Sequence, residues 1–588
     1  MRFTAAILSL ATLATLSACS EPTNVPPVVS TTPDSVVSDN ATAWSLGYMA
    51  AVANPYATDA AVEMLRQGGH AVDAAIAAHA VLGLVEPESS GLGGGGFMVV
   101  YEQDSKNVRF LDGRETAPAG ATPDMFMRDR APVGFLDAWQ SGNSVGVPGA
   151  IALYKLAHDN YGKLPWATVL EPAIRLASEG FVVSGKMAGY LPQMAQISML
   201  DENPGAADYF YPGGEPLQAG SILRNPEYAN TLQRVAVEGP EAFYSGQIAE
   251  AMAAAAQAGN NGGSMTVEDI ENYQAVERPA ICGNWRSLNI CSATPPSSGA
   301  MQIMIANLYD QLLPDNPSQE QQIRAFVDAQ RLAYADRDYY FGDPDHATVP
   351  LQQLLDTRYL EYRGNNPAEP GATPQHGDPA AVLEGGTAAI WASDSTIEPA
   401  GTTHFSIIDN EGNAVSATMT VESPFGSGRW AAGFLLNNEM TDFAREFYAD
   451  QPEAANMIRP GARPRSSMSP TIILDDNNDL YMVTGSPGGN SIPAYTAKSV
   501  LGIVDWGMTV QEAVNFPNII ARGDTVRVEI NMEPGQAQAD QLRAAGYNVQ
   551  ETDGENSGLH VILVTEDGLV GAADPRREGT VASGTVAP

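Results

Sequence analysis

The run Gly401–Thr402–Thr403–His404–Phe405–Ser406 sits where a loose stretch becomes a sheet. Before it, Asn366 to Gly401 is polar and rich in proline and glycine. After it, Phe405 to Ile408 alternates like a strand. Asp409–Asn410–Glu411–Gly412–Asn413 reads as a turn and Ala414 to Val421 as the returning strand of a hairpin. A threonine pair suits the mouth of a strand on packing grounds alone. It also carries a chemical option. A threonine hydroxyl is a weak nucleophile until a base takes its proton. A cut between Gly401 and Thr402 would give Thr402 a free α-amine, which titrates at about 7.7–8.0 and can act as that base. Gly401 has no Cβ, so its carbonyl can face the Thr402 hydroxyl in a tight turn at little steric cost.

Composition narrows the rest. At 588 residues and 44% apolar the chain can bury a large core. A net charge of −38 argues against nucleic acid and anionic membrane surfaces as partners. The seven histidines are scattered and no Cys/His cluster has metal spacing, so neither a metal nor another cofactor is expected. The start reads as a targeting segment. Met1–Arg2 is a short basic region and Phe3 to Leu16 is apolar but too short to span a bilayer. Leu16–Ser17–Ala18–Cys19 resembles a bacterial lipoprotein box, which implies a signal peptide over residues 1–19 and a lipidated Cys19; ordinary cleavage near Ala18 is the rival. Residues 20–45 read as a flexible tether. These features predict an exported, periplasmic protein held to the envelope only by its lipid. Cys282 and Cys291 lie in a hairpin, Ala280 to Ser292, where facing positions could form a disulfide in an oxidising compartment or stand as two small buried residues.

Along the chain, helices are expected over Asn54–Leu65, Val72–Leu84, Ala150–His158, Pro165–Glu179 and Gln319–Tyr340, with 185 to 275 mostly helical. Strands are expected at Phe97–Tyr101 and Val108–Asp112. Beyond the Thr402 hairpin they are expected at Pro470–Leu474, Leu480–Gly485, Val526–Ile530, His560–Thr565 and Leu569–Ala573, with a helix at Ala537–Ala545. The glycines at 93–96 precede a strand, so they mark close backbone packing and not a dinucleotide fingerprint. Antiparallel hairpins with helices before and after them place the chain in the α+β class, as packed sheets covered by helices.

Further motifs occur in order: Gly68–Gly69–His70–Ala71–Val72–Asp73–Ala74–Ala75, Leu92–Gly93–Gly94–Gly95–Gly96–Phe97, Gly113–Arg114–Glu115–Thr116–Ala117–Pro118, Pro295–Pro296–Ser297–Ser298–Gly299, Ala333–Tyr334–Ala335–Asp336–Arg337, Leu435–Leu436–Asn437–Asn438–Glu439–Met440, Arg463–Pro464–Arg465–Ser466–Ser467–Met468 and Thr484–Gly485–Ser486–Pro487–Gly488–Gly489. With these, the chain resembles the γ-glutamyltransferases (glutathione hydrolases) of the N-terminal nucleophile hydrolase superfamily, from about Ala51 to Arg576. The resemblance implies a four-layer α/β/β/α sandwich with two antiparallel sheets between helical layers. It implies self-cleavage at Gly401–Thr402 into a large chain, 46–401, and a small catalytic chain, 402–588, which stay together as a heterodimer. It makes Thr402 the nucleophile, Thr420 its hydroxyl partner, and Gly488 and Gly489 the oxyanion hole, where two N–H groups meet a developing O⁻. Arg114, with Ser466 and Ser467, would hold the α-carboxylate of a glutamyl group, a task that suits a planar guanidinium. Glu439 and Asp442 would hold its α-ammonium.

Two features depart from the pattern. Glu422 stands where many members have an asparagine that binds the ammonium. The lid region Phe443 to Arg465 is short, with Tyr448 as its candidate lid residue. The implied reaction is acyl transfer. Thr402 attacks a γ-glutamyl amide of glutathione type, and water or an amino acid or peptide amine then takes the γ-glutamyl group from the enzyme. An acylase of the same fold acting on other side-chain amides, cephalosporin acylase-like, is the nearest alternative. A non-catalytic envelope binding lipoprotein is a second.

Overall fold

The computed structural model describes residues 47–386 and 390–585, with the backbone of 38–39 and 43–45. The signal segment, Cys19 and most of the tether lie outside the described residues. Among the described residues, two large sheets dominate. Their strands, in chain order, are β1 (Ser38–Asp39), β2 (Ala43–Ser45), β3 (Tyr48–Val52), β4 (Gly95–Glu102), β5 (Asn107–Gly113), β6 (Val276–Pro279), β7 (Ile281–Trp285), β8 (Leu288–Ser292), β9 (Gly401–Ile408), β10 (Ala414–Glu422), β11 (Thr471–Leu474), β12 (Leu480–Thr484), β13 (His560–Thr565), β14 (Gly568–Ala573) and β15 (Thr580–Gly584). The first sheet runs β1-β15-β3-β9-β10-β4-β5-β6 and the second β7-β8-β11-β12-β13-β14-β2. Every pairing within them is antiparallel.

Strand alternation sorts the core into three slabs. Tyr48, Ala50 and Val52 of β3 and Met98 and Val100 of β4 face helices α1 (Pro55–Arg66), α2 (Ala71–Val85), α3 (Ala150–Tyr161), α4 (Trp166–Glu179) and α5 (Pro226–Glu238). Their neighbours Met49, Ala51, Phe97, Val99 and Tyr101 face the second sheet, meeting Ile472, Leu474, Val483 and Ile562. That sheet's outer residues, among them Ile290, Ile473, Met482 and Val561, pack on α6 (Ala300–Leu312), α7 (Gln319–Tyr340) and α8 (Ile492–Val504). The period of two makes each strand serve two slabs, and the result is an α/β/β/α sandwich. Helix α2 is buried along its whole length, which its alanine-rich sequence permits, since small side chains let a helix lie close to a sheet.

Several expectations need adjusting. The first strand of the Thr402 hairpin begins at Gly401 and not at Phe405, because its pairing with β10 extends to Gly401 opposite Glu422. The stretch 366–401 is not wholly loose. Asp378 caps a short helix, Pro379–Leu383, and Glu398 is pinned, as described below. A third sheet, Ile519–Arg522, Thr525–Glu529 and Asn548–Thr552, contains a parallel pair where only hairpins were expected. Strand β3, which flanks β9, and β15, which pairs with β3 on its other side, were not read from the sequence. Cys282 and Cys291 face each other across β7 and β8 and are bonded.

Candidate active site

Strand β9 lies in the middle of the first sheet, but its two neighbours cover it unequally. Strand β10 pairs with it from Gly401 onward, with a bulge between Gly401 and Thr402. Strand β3 pairs only with Phe405 to Ile408. The four residues Gly401–His404 therefore stand beyond their β3 neighbour, and Thr402 heads the open edge. Gly94 backs it: a Cβ there would sit 2.0 Å from the Thr420 carbonyl oxygen, so only glycine lets β4 approach so closely.

Each carbonyl around the Gly401–Thr402 bond has a donor. Asn556 Nδ2 donates to Ala400 O at 3.4 Å, Thr420 Oγ1 to Gly401 O at 2.9 Å, and Arg577 Nη1 to Thr402 O at 2.8 Å. Thr402 Oγ1 lies 3.2 Å from Thr420 Oγ1. A hydroxyl has one proton to give, and Thr420 spends its own on Gly401 O. Thr402 is therefore the donor in the 3.2 Å contact, which leaves its lone pairs for the adjacent carbonyl carbon. The Glu422 N–H, at 2.8 Å, fixes Thr420 from behind. Gly488 and Gly489 have φ of 134° and 55°, the left-handed region that favours glycine. A Cβ on Gly489 would lie 2.1 Å from Glu398 O and 2.5 Å from Pro399 O. Residues 398–399 therefore pass close to Gly489, while Gly488 lies against Tyr495.

Beside the nucleophile is a buried cluster of acids. Arg114, 1% exposed, donates to Glu439, to Asp442 Oδ2 at 2.6 Å, to Pro464 O at 3.2 Å and to Arg465 O at 3.1 Å; Glu115 is 3.9 Å away. Ser423 and Asn438 donate to Glu422, which takes a φ of 78°. Burial, then the charge of Asp442, pushes Glu422 well above the usual carboxylate range. Burial and neighbouring acids do the same to Glu439 and Asp442, with Arg114 opposing. Burial raises Glu115 to about 7 against the pull of Arg114. Three acids around one guanidinium, with Glu422 against Asp442, cannot all ionise cheaply, so the cluster retains protons.

Ser466 and Ser467 directly follow Arg465, whose carbonyl Arg114 holds, so the expected carboxylate-binding residues are contiguous. Their groups are engaged elsewhere in the uncut chain. Met468 N donates to Ser466 Oγ at 3.2 Å, Arg337 Nη2 donates to Ser467 Oγ at 2.7 Å, and Ser467 N donates to Glu398 Oε2 at 2.7 Å. Arg337 also pairs with Glu398. Burial alone would raise Glu398, but Arg337, Arg465 and these hydrogen bonds bring it down to about 2. A cavity of about 400 Å³ separates the pre-cleavage stretch 392–397 from the lid residues 444–448, and Tyr448 lines it. Arg337 falls within a sequence motif that assigns it no role, and Glu398, Asn556 and Arg577 fall within none. No local pattern marks these contacts, which join residues 61, 156 and 175 positions apart.

The gamma-glutamyltranspeptidase family model matches residues 57–584. The chain belongs to the γ-glutamyltranspeptidase family. Among curated relatives of this γ-glutamyltranspeptidase-family chain, the glutathione hydrolase proenzyme of Escherichia coli is 35% identical over 552 residues, 91% of each chain. Among solved structures, cephalosporin acylase from Bacillus halodurans superposes with a TM-score of 0.81 at 25% identity, over 96% of this chain and 99% of that one. The γ-glutamyltranspeptidase of Helicobacter pylori superposes with a TM-score of 0.53 at 29% identity, over 58% of this chain and 99% of that one.

Two outcomes are expected. Thr420→Ala removes the donor on Gly401 O and slows self-cleavage by about 10²–10³-fold, the cost of losing one oxyanion donor; the rate is read by denaturing gel over time. Glu115 titrates higher in the folded chain, about 7, than its ordinary 4.5. The folded state therefore holds the extra proton, and this contribution to stability is complete below 4.5 and lost as pH rises through 7. The Tm of the wild type minus that of Glu115→Gln should fall from pH 4.5 to 7 and level off above it. A flat difference would contradict the assignment.

Proposed function

We propose that this chain is a self-cleaving γ-glutamyltransferase and glutathione hydrolase with Thr402 as nucleophile. The observation that carries the reading is the Thr402 hydroxyl at an open strand head, 3.2 Å from Thr420 Oγ1, beside a scissile carbonyl that Thr420 itself polarises. In maturation, Thr402 Oγ bonds to the Gly401 carbonyl carbon while its proton leaves through Thr420. The C–N bond breaks, the nitrogen takes a proton, and an ester links Gly401 to Thr402 Oγ. Water hydrolyses that ester, leaving a Gly401 carboxylate and a Thr402 with free amine and hydroxyl. The chains 46–401 and 402–588 remain interleaved, because β3, β4 and β15 of the first sheet come from both.

In turnover the α-amine takes the Thr402 proton as Oγ attacks a γ-glutamyl amide. Gly488 and Gly489 supply N–H groups to the oxyanion. The leaving amine departs protonated, and water or another amine releases the γ-glutamyl group. The acid cluster of Glu422, Glu439 and Asp442 suits a substrate ammonium. A second reading, an acylase on other side-chain amides, is favoured by Glu422 and by the extensive superposition on a cephalosporin acylase.

The α-amine of the substrate separates the two. γ-Glutamyl-p-nitroanilide should be cleaved with a kcat/KM at least about 10-fold above that of glutaryl-p-nitroanilide, which lacks only the amine, as expected when an ammonium–carboxylate contact is lost. A preference for the glutaryl compound would establish the acylase reading. We further propose export and lipid anchoring at Cys19, on the strength of the Leu16–Ser17–Ala18–Cys19 box. Cys19→Ala should move the protein from the membrane fraction to the soluble one, and continued membrane association would refute the anchor.

A further inference from the structure

Pairing of β9 with β3 stops at Phe405, and the Thr402 carbonyl beyond it is held by a side chain. Arg577 donates Nη1 to Thr402 O at 2.8 Å. Its Nη2 donates to Asn556 O and to Asn556 Oδ1, both at 3.0 Å. None of these partners carries a charge, and among the described residues no carboxylate comes within ion-pair distance of Arg577. The residue is only 7% exposed, so water does little to screen it. A buried guanidinium without a counter-ion is costly, and this one stands against the residue that cleavage turns into an N-terminus.

Three covalent bonds join the Thr402 nitrogen to its own carbonyl oxygen, a span of at most about 4 Å, so Arg577 Nη1 lies within about 7 Å of the future amine. Both residues belong to the chain 402–588. At that range a fixed positive charge disfavours an ammonium and favours the neutral amine. The other titratable groups on the surrounding elements leave this effect standing. Burial keeps His404, on β9 itself, and His560, on β13, neutral at pH 7. His560 falls to about 4, with Asp574 opposing the burial and Arg577 adding to it. On β10, burial and then Asp442 push Glu422 well above the usual carboxylate range. Glu115, Glu439 and Asp442 surround Arg114, and Glu398 pairs with Arg337. Glu86 and Glu88 flank Lys186, Glu555 pairs with Arg527, and Asp574 pairs with Arg576. Glu578, next in the chain, accepts from Lys186 N at 3.4 Å. Cleavage itself adds one more charge, the Gly401 carboxylate, which opposes Arg577 for as long as it stays near.

We propose that Arg577 is a positioning residue for the nucleophile: it holds the Thr402 carbonyl and, through its unpaired charge, keeps the liberated α-amine in the neutral form that can accept the hydroxyl proton. This rests on the γ-glutamyltransferase reading, in which that amine is the base. An ordinary α-amine titrates at about 7.7–8.0 and is mostly protonated at pH 7, whereas a fall of about one unit leaves roughly half of it free. The same charge serves both proton transfers. As Thr402 Oγ bonds to the substrate carbonyl carbon, its proton passes to the amine, which becomes an ammonium beside the guanidinium. That ammonium then gives the proton to the leaving nitrogen as the C–N bond breaks, and the repulsion favours the transfer. A base and acid poised near the working pH is what such a cycle needs.

The test is the pH profile of kcat/KM for γ-glutamyl-p-nitroanilide on cleaved enzyme, whose acid limb reports the base of the free enzyme. In the wild type that limb should lie at about pH 7 or below, under the ordinary range of an α-amine. Arg577→Gln should move it up by about one unit, so that kcat/KM drops about 10-fold at pH 6 and by steadily less toward pH 9. Arg577→Lys, which keeps the charge and loses the fork, should hold the limb within about 0.3 unit of the wild type. A limb that Arg577→Gln leaves in place, or a loss equal at every pH, makes Arg577 a structural residue and overturns the proposal. If the Gln variant is not cut, the wild type decides the matter alone: the rate at which cyanate carbamylates the Thr402 amine, read by mass spectrometry of the N-terminal peptide, should reach half its maximum at about pH 7 or below, and a midpoint of about 7.7–8.0 overturns the proposal. A wild type that stays uncut, or that does not act on the γ-glutamyl compound, shows instead that the functional reading has failed, before any profile is compared.

Discussion

The 3.2 Å contact between the Thr402 and Thr420 hydroxyls constrains the surrounding structure. It lies where β9 and β10 pair with a bulge at Gly401–Thr402, at the end of β9 that runs past β3. Keeping β10 in register requires β4 to press on it without side chains, which the Gly93–Gly96 run allows. Between the sheets, His404 fills the layer behind Thr402, its Nδ1 on Thr418 Oγ1 at 2.9 Å, and a Cβ on Gly485 would lie only 2.4 Å from its ring. Burial holds His404 well below its ordinary pKa. The imidazole is held neutral between the sheets and positions the strand.

A second constraint is electrostatic. Burying Arg114, Glu115, Glu422, Glu439 and Asp442 together, with Arg337 and Glu398 adjoining, costs desolvation that mutual attraction only partly offsets. Such a cluster is a poor device for stability and a good one for recognising a zwitterion. The protons it retains are those that a substrate ammonium would displace. Arg337 pairs with Glu398 beside this cluster.

Much of this was legible in the sequence where the pattern is local. Alternation gave the hairpins at Thr402 and at His560–Thr565. Helical spacing gave Gln319–Tyr340 with the observed bounds, and the glycine run announced close packing. The motifs carried the fold class and the candidate nucleophile. What stayed hidden depends on contacts between distant segments. Tyr48–Val52 and Thr580–Gly584 are short and rich in small residues, so neither announces a strand until β3 pairs with β9 and β15 with β3. Glu398 lies among prolines and glycines that read as a loose linker, yet two other segments, around Arg337 and Ser467, hold it. Arg114 could be recognised, but not its engagement by Glu439 and Asp442, which needs the turn 439–442 brought against the end of β5.

The central claim is that this chain makes its own nucleophile by cutting at Gly401–Thr402. Denaturing intact-mass spectrometry of the purified protein tests it most directly. The account predicts two chains, the smaller carrying the 187 residues from Thr402 to Pro588, and a single chain from Thr402→Ala. A wild type that remains one full-length chain, or one cut at another bond, would contradict it.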